Sequence, residues 1–203
     1  MANANKPAGF SLVGHLRGSP MNARVRTYSI DASYSGATLY IGDPVISGGG
    51  ADTNGVPNIA IGATTGALRG VIVGLGKYEG GGPNPSNLDI IYRPSGDTAV
   101  WYARVCDDPD AIFEIQEHSN GTQLSAAEVG LNTIGYSGTA GNGYVSGWQL
   151  ASYSDATPNT TNTLQLRLLG LARRRDNAFG AYAKWLVQIN VHELSHGLGA
   201  SGV

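Results

Sequence analysis

A single cysteine, Cys106, stands in a chain of 203 residues, which excludes an intrachain disulfide framework. No His or Asp pattern surrounds it, so a small core residue is expected there rather than a nucleophile. Charge is scarce too: 14% of residues are charged and the net charge is -2, so nucleic acid is not an expected partner. No apolar run approaches the length that crosses a bilayer, and the opening Met1-Ala2-Asn3-Ala4-Asn5-Lys6-Pro7 lacks the apolar core of a signal peptide. A soluble product made in a cytoplasm, with no membrane partner, is the expectation. Two catalytic signatures are also missing. There is no G-x-S-x-G elbow, and the glycines of Gly70 to Gly76 lack the G-x-G-x-x-G order that opens a helix on a phosphate.

Turn formers are plentiful: 30 glycines and 9 prolines make about a fifth of the chain, against roughly 12% in average usage. They separate short β-rich runs at Val25 to Ile30, Ala37 to Ile41, Val45-Ile46, Ile59 to Ile61, Ala67 to Leu75, Leu88 to Tyr92 and Ala99 to Val105. Further runs follow at Ile112 to Glu117, Leu150 to Tyr153, Thr163 to Leu171 and Ala183 to His192. Gly48-Gly49-Gly50-Ala51-Asp52 reads as a flexible loop, and Gly80-Gly81-Gly82-Pro83 as a turn. This spacing predicts an all-β fold, an antiparallel sandwich or barrel. Ser125 to Val129 is expected to form one helical turn, with Ser125 as cap and Glu128 three residues on.

Residues 1–24 read as an extended arm with no room for an element longer than Phe10 to Leu16, either frayed or held by a neighbour. No long linker or internal repeat divides the rest, so residues 25–203 are expected to form a single β-rich domain.

One motif carries chemistry. His192-Glu193-Leu194-Ser195-His196 matches H-E-x-x-H, which on a helix puts two imidazoles on one zinc and a general base beside the bound water. Gly199 fits the longer metzincin pattern, but the third ligand should fall on Gly202, and residues 197–203 contain no His, Asp or Glu. An upstream ligand would have to come from His118, Glu117 or His15, whose spacing does not recommend them. The approach to the motif also alternates: Trp185, Val187, Ile189 and Val191 share one parity, Gln188, Asn190 and His192 the other. Val187, Val191, Leu194 and Leu198 also recur at the three- and four-residue steps of a helix, but a strand is expected there, since β-branched residues favour it and Gly197 and Gly199 would each weaken a helix by about 1 kcal/mol. The motif is therefore expected to be incidental, with no metal and no cofactor.

Two charged clusters remain. Asp107, Asp108 and Asp110 lack the glycine and distal acidic ligand of a calcium loop and read as a turn with solvated carboxylates. Arg173-Arg174-Arg175 is either a solvated loop between strands or a set of guanidinium forks for carboxylates on a partner.

Several strings together resemble one family, the cement or decoration proteins encoded near the major capsid protein of tailed bacteriophages. They are Met1 to Pro7, Tyr40-Ile41-Gly42-Asp43-Pro44-Val45, Gly70-Val71-Ile72-Val73-Gly74, Ile91-Tyr92-Arg93-Pro94 and Asp107 to Asp110 running into Phe113-Glu114-Ile115-Gln116-Glu117. Leu164-Gln165-Leu166-Arg167, and Asp176-Asn177 through Gly180-Ala181 to Lys184-Trp185-Leu186-Val187, complete the set. The resemblance implies a jelly-roll or barrel-like β fold without an active site. It also implies a homodimer or homotrimer bound to the major capsid protein on the outer face of the head, in a virion assembled in the host cytoplasm. Such a role needs many contacts made at once, and an arm that can order on a neighbour or add a strand to it. Asn3, Asn5, Lys6 and Pro7 in the arm, with Arg173, Arg174 and Arg175, are the expected capsid or self contacts.

Two rival readings stay open. One is a zinc peptidase using His192 and His196 as ligands and Glu193 as base. The other is a glycan- or receptor-binding β module using exposed aromatics, for which ten tyrosines and three tryptophans, Trp101, Trp148 and Trp185, are available, although Trp185 reads as core.

Overall fold

The computed structural model describes residues 3–18, 24–77, 90–139, 141–195 and 199–202. In chain order the strands are β1 (Ser11–His15), β2 (Val25–Ile30), β3 (Leu39–Tyr40), β4 (Pro44–Ala51), β5 (Pro57–Ile61), β6 (Gly70–Lys77) and β7 (Tyr92–Arg93). There follow β8 (Trp101–Cys106), β9 (Ala111–Gln116), β10 (Asn132–Thr133), β11 (Gly135–Tyr136), β12 (Gln149–Leu150), β13 (Leu166–Leu171) and β14 (Lys184–Ile189). The fold is all-β, as the spacing of turns predicts. Of the run expected at Leu88 to Tyr92, Leu88 and Asp89 lie outside the described residues, as does the Gly80 to Pro83 turn.

Alternation builds the main sheet. In β14 Trp185, Val187 and Ile189 are buried while Lys184, Leu186 and Gln188 are half-buried, which is the parity read from the sequence. Trp185 and Val187 stand opposite Ile115 and Phe113 of β9, and such apolar cross-strand pairs contribute roughly 0.2–1 kcal/mol each. The sheet has the order β1-β9-β14-β13-β10 and is antiparallel throughout.

The second body is a closed five-stranded barrel, β2-β5-β4-β6-β8. Its strands β6 and β8 serve two cores and expose Lys77 and Arg104. Ile72, Leu75, Ala103 and Val105 point into the barrel with Tyr28, Ile30, Val45 and Ile59, whereas Val71 and Cys106 join Phe113, Trp185 and Leu166 in the core under the sheet. By contributing to both cores, these strands bind barrel and sheet into one unit. Two short ribbons, β3–β7 and β11–β12, complete the fold.

The glycine run 48–50 is not the flexible loop expected; it lies within β4. The register with β5 slips between Ser47 and Ala51, and Gly49 and Gly50 take φ of 75° and 67°, so a bulge that needs glycine accommodates the extra residues. Ser125 does cap a single 3-10 turn, Ala126–Glu128, with the reciprocal Glu128 bond of a capping box. Cys106 is fully buried, and burial pushes its thiol up to about 11, in keeping with a core role.

The arm is held by its own domain. Phe10 is buried and meets the edge of Phe113 at 6.0 Å, its N–H bonds to Gly42 O at 2.9 Å, and β1 pairs with β9. The sheet thus has two ends of different character. At β10 an antiparallel bridge from Asn132 to Asn159 covers the edge, but among the described residues no strand pairs with the outer side of β1.

Candidate functional site

The described part of the H-E-x-x-H segment is a bridge followed by a turn, not a helix; His196 lies outside the described residues. β14 stops at Ile189, and the N–H groups of Asn190 and Val191 both turn to Gln165 O. Leu68 then grips the segment, donating to Val191 O and accepting from Glu193 N–H, each at 2.9 Å. His192 is buried beside it. Its Nδ1 accepts the Leu194 N–H at 3.0 Å, which places the ring proton of the neutral form on Nε2. Burial, with Arg69 nearby, pulls its pKa down to about 4.

Glu193 is occupied as well. Oε1 accepts the Ser47 N–H at 2.9 Å and Oε2 lies 2.7 Å from Arg69 Nε. A carboxylate so held clamps the segment to β4 rather than waiting on a water. The upstream candidates for a third ligand are each engaged elsewhere. His118 Nδ1 lies 2.8 Å from Asp155 and its ring stacks on Tyr136, while His15 Nε2 lies 3.1 Å from Asp108. Glu117 is buried, accepts from Leu124 N–H and Trp185 Nε1, and is pushed by burial up to about 7.

The aspartate cluster is a correction to the sequence reading: Asp107 and Asp108 are buried, not solvated. Asp107 accepts the Tyr28 hydroxyl at 2.6 Å and faces Arg26 at 3.3 Å; Asp108 faces Arg24 at 2.8 Å. Burial is tolerable because each carboxylate gains a partner. His15, Asp108 and Asp110 bring three potential ligand atoms within 4.8 Å of one another. The same Asp108 oxygen already faces Arg24, and Asp110 faces Arg17 at 2.8 Å. Guanidinium groups therefore supply the positive charge here, and a dication would have to displace them.

All three tryptophans are buried, so none offers a sugar platform. The exposed aromatics include Tyr144, 65% accessible, and Phe179 at 46%. Among the described residues, Asp31, Asp52, Asn54, Asn58 and Tyr102 line a cleft of about 320 Å³ at the barrel seam. Their polar atoms are largely spent on one another: Asp52 takes Asn54 N–H, Val56 N–H and the Tyr102 hydroxyl.

Of the residues expected to make contacts, Asn3, Asn5, Lys6 and Arg174 are tied to the β13–β14 loop or to β9. Asn3 spans the β13–β14 loop, its Nδ2 donating to Ala178 O and Ala181 O and its Oδ1 accepting from Ala178 N–H. The Lys6 N–H donates to Gln116 Oε1, and Gln116 Nε2 donates to Asn5 Oδ1; Pro7 is half-buried. Arg174 in the same loop lies 2.8 Å from Glu114, two residues from Gln116 on the outward side of β9. Arg173 and Arg175 are exposed. Sequence reasoning missed Glu114, Gln116 and Asn177 as the residues that join arm to loop. Their signal was the polar parity of Glu114 and Gln116 against buried Phe113 and Ile115.

β1 supplies the other surface. Val13 is the extra residue of a bulge opposite β9, 42% exposed, and Leu16 beyond the strand is 48% exposed.

No protein family, curated protein or solved structure matches this chain.

Proposed function

We propose that this chain is a structural protein, a capsid cement protein of a tailed-bacteriophage head that binds the outer surface of the major capsid protein lattice and strengthens it without catalysis. The observation that carries the reading is the β1 edge: among the described residues no strand pairs with its outer margin, and apolar Val13 and Leu16 stand in the open. An edge of this kind is a template for pairing with another chain, and proteins that have no use for it hide it. β10 at the opposite end is hidden. The engaged Glu193 and buried His192 weigh against the peptidase reading, and the sequence strings resembling the cement family support the particular setting.

The test is made on particles. Purified virions of the parent phage should contain the protein, and heads lacking it should break at lower temperature. Val13→Lys with Leu16→Lys, which leaves the fold's core untouched, should abolish its addition to such heads. Absence from purified virions, or full addition of the double variant, refutes the reading.

A further inference from the structure

We propose that the arm and the β13–β14 loop form a docking surface for an acidic polypeptide, with Arg173 and Arg175 engaging its carboxylates and Phe179 its apolar side chains. The loop, residues 172–183, is a built platform. Asn177 fastens its two legs, donating Nδ2 to Ala172 O and Lys184 O and accepting the Lys184 N–H, all at 2.8 Å. Asn3 ties the far side to the arm through three bonds. The Phe179 ring rests on Trp185 at 5.6 Å between centroids while keeping nearly half its surface in water. A surface ordered before its partner arrives loses less entropy when it binds.

The charges on this platform are unequally used. Glu114 already holds Arg174 at 2.8 Å and Lys184 at 3.7 Å. Among the described residues no carboxylate pairs with Arg173 or Arg175, and both are exposed. The guanidinium fork suits bidentate capture of carboxylates better than an ammonium does. A phosphate backbone fits less well, because it requires a longer track of cations, and Asp176 interrupts this one on a chain of net charge -2. Anionic lipid likewise calls for clusters of about four to eight basic residues. Arginines and an exposed aromatic carried by one braced loop match the composition of protein interface centres.

The inference rests on neither Val13 nor Leu16, so its failure and that of the cement reading are separable. Its test is anisotropy titration of the full chain against a labelled peptide in which Asp and Glu are interspersed with Leu and Phe. Oligothymidylate and phosphatidylserine-containing vesicles are run in parallel. Expected are peptide binding that weakens with salt, a loss of about tenfold or more in Arg173→Ser with Arg175→Ser, and a further loss in Phe179→Ser. Val13→Lys with Leu16→Lys should bind the peptide as the parent does. No peptide binding, equal binding by the arginine double variant, or tighter binding to the oligonucleotide or vesicles overturns the proposal.

Discussion

Trp185 donates its indole N–H to Glu117 Oε2 across 2.9 Å, joining a fully buried aromatic of the sheet to a carboxyl with no exposed surface. Glu117 sits about 7 in the fold against an ordinary 4.5, because burial penalises its charge more than the two donated bonds favour it. A raised carboxyl favours folding below 4.5 and loses that contribution as pH rises towards 7, about 3 kcal/mol in all.

Trp185→Phe should therefore cost more at pH 8 than at pH 5. At the higher pH the charged carboxylate loses a bond of about 1.5–3 kcal/mol, whereas at the lower pH the loss is chiefly packing. Urea denaturation at both values checks this. Equal losses would show that the indole bond does not discriminate between the forms of Glu117.

His192 has the opposite sign. Its pKa falls from 6.5 to about 4 on folding, so the unfolded chain binds the extra proton between these values. Stability from this residue is present above 6.5 and is lost as pH falls to 4, by about 3 kcal/mol. Asp43, raised by burial to about 6, and Glu117 oppose it in overlapping windows, so the parent's own pH curve blurs the effect. The difference between the parent and His192→Phe isolates it. The variant should gain on the parent steadily from pH 6.5 down to 4.5, read as the urea midpoint, and a constant difference would contradict the neutral buried ring.

The same geometry makes a prediction about metal. His192 gives one ring nitrogen to the Leu194 N–H, and Glu193 is committed to Arg69 and Ser47. Protein equilibrated with zinc and then desalted should retain far less than one equivalent by elemental analysis, and His192→Ala should not lower that amount. Stoichiometric zinc lost in the variant would restore the peptidase reading.

How much of this was legible beforehand varies with the physics involved. β2 could be placed residue for residue and β14 by its parity, because one face of each meets a core and period two follows. The capping box at Ser125 was readable because its chemistry is local. The burial of Asp107 and Asp108 was not, since their partners, Arg24, Arg26 and Tyr28, lie in β2 and just before it, some eighty positions away. Nor could the glycine run 48–50 be told from a loop, because a wide bulge and a mobile turn draw on the same residue. At the candidate surface Asn3 and Arg173 to Arg175 could be named, but not the fastening of arm to loop and sheet, which Asn3, Gln116 and Asn177 bring about through tertiary bonds.

The arm's attachment turns on a glycine. Gly9 has φ of 68°, and a Cβ there would collide with Gly42 O and with Ser146. Gly18 has nearly the same conformation, φ of 70°, yet nothing lies within 4 Å of its would-be Cβ. Alanine at either position carries the strain of left-handed backbone, about 1–2 kcal/mol, but only at Gly9 does it also force arm and barrel apart. Gly9→Ala should therefore lower the melting temperature more than Gly18→Ala. It should also raise amide exchange at Lys6 and Phe10, whose N–H groups bond to Gln116 and Gly42, while leaving Trp185 to Ile189 protected. Exchange at Lys6 and Phe10 that rises equally in the Gly18→Ala control would show that backbone strain alone, not the close approach of Gly9 to Gly42, holds the arm in place.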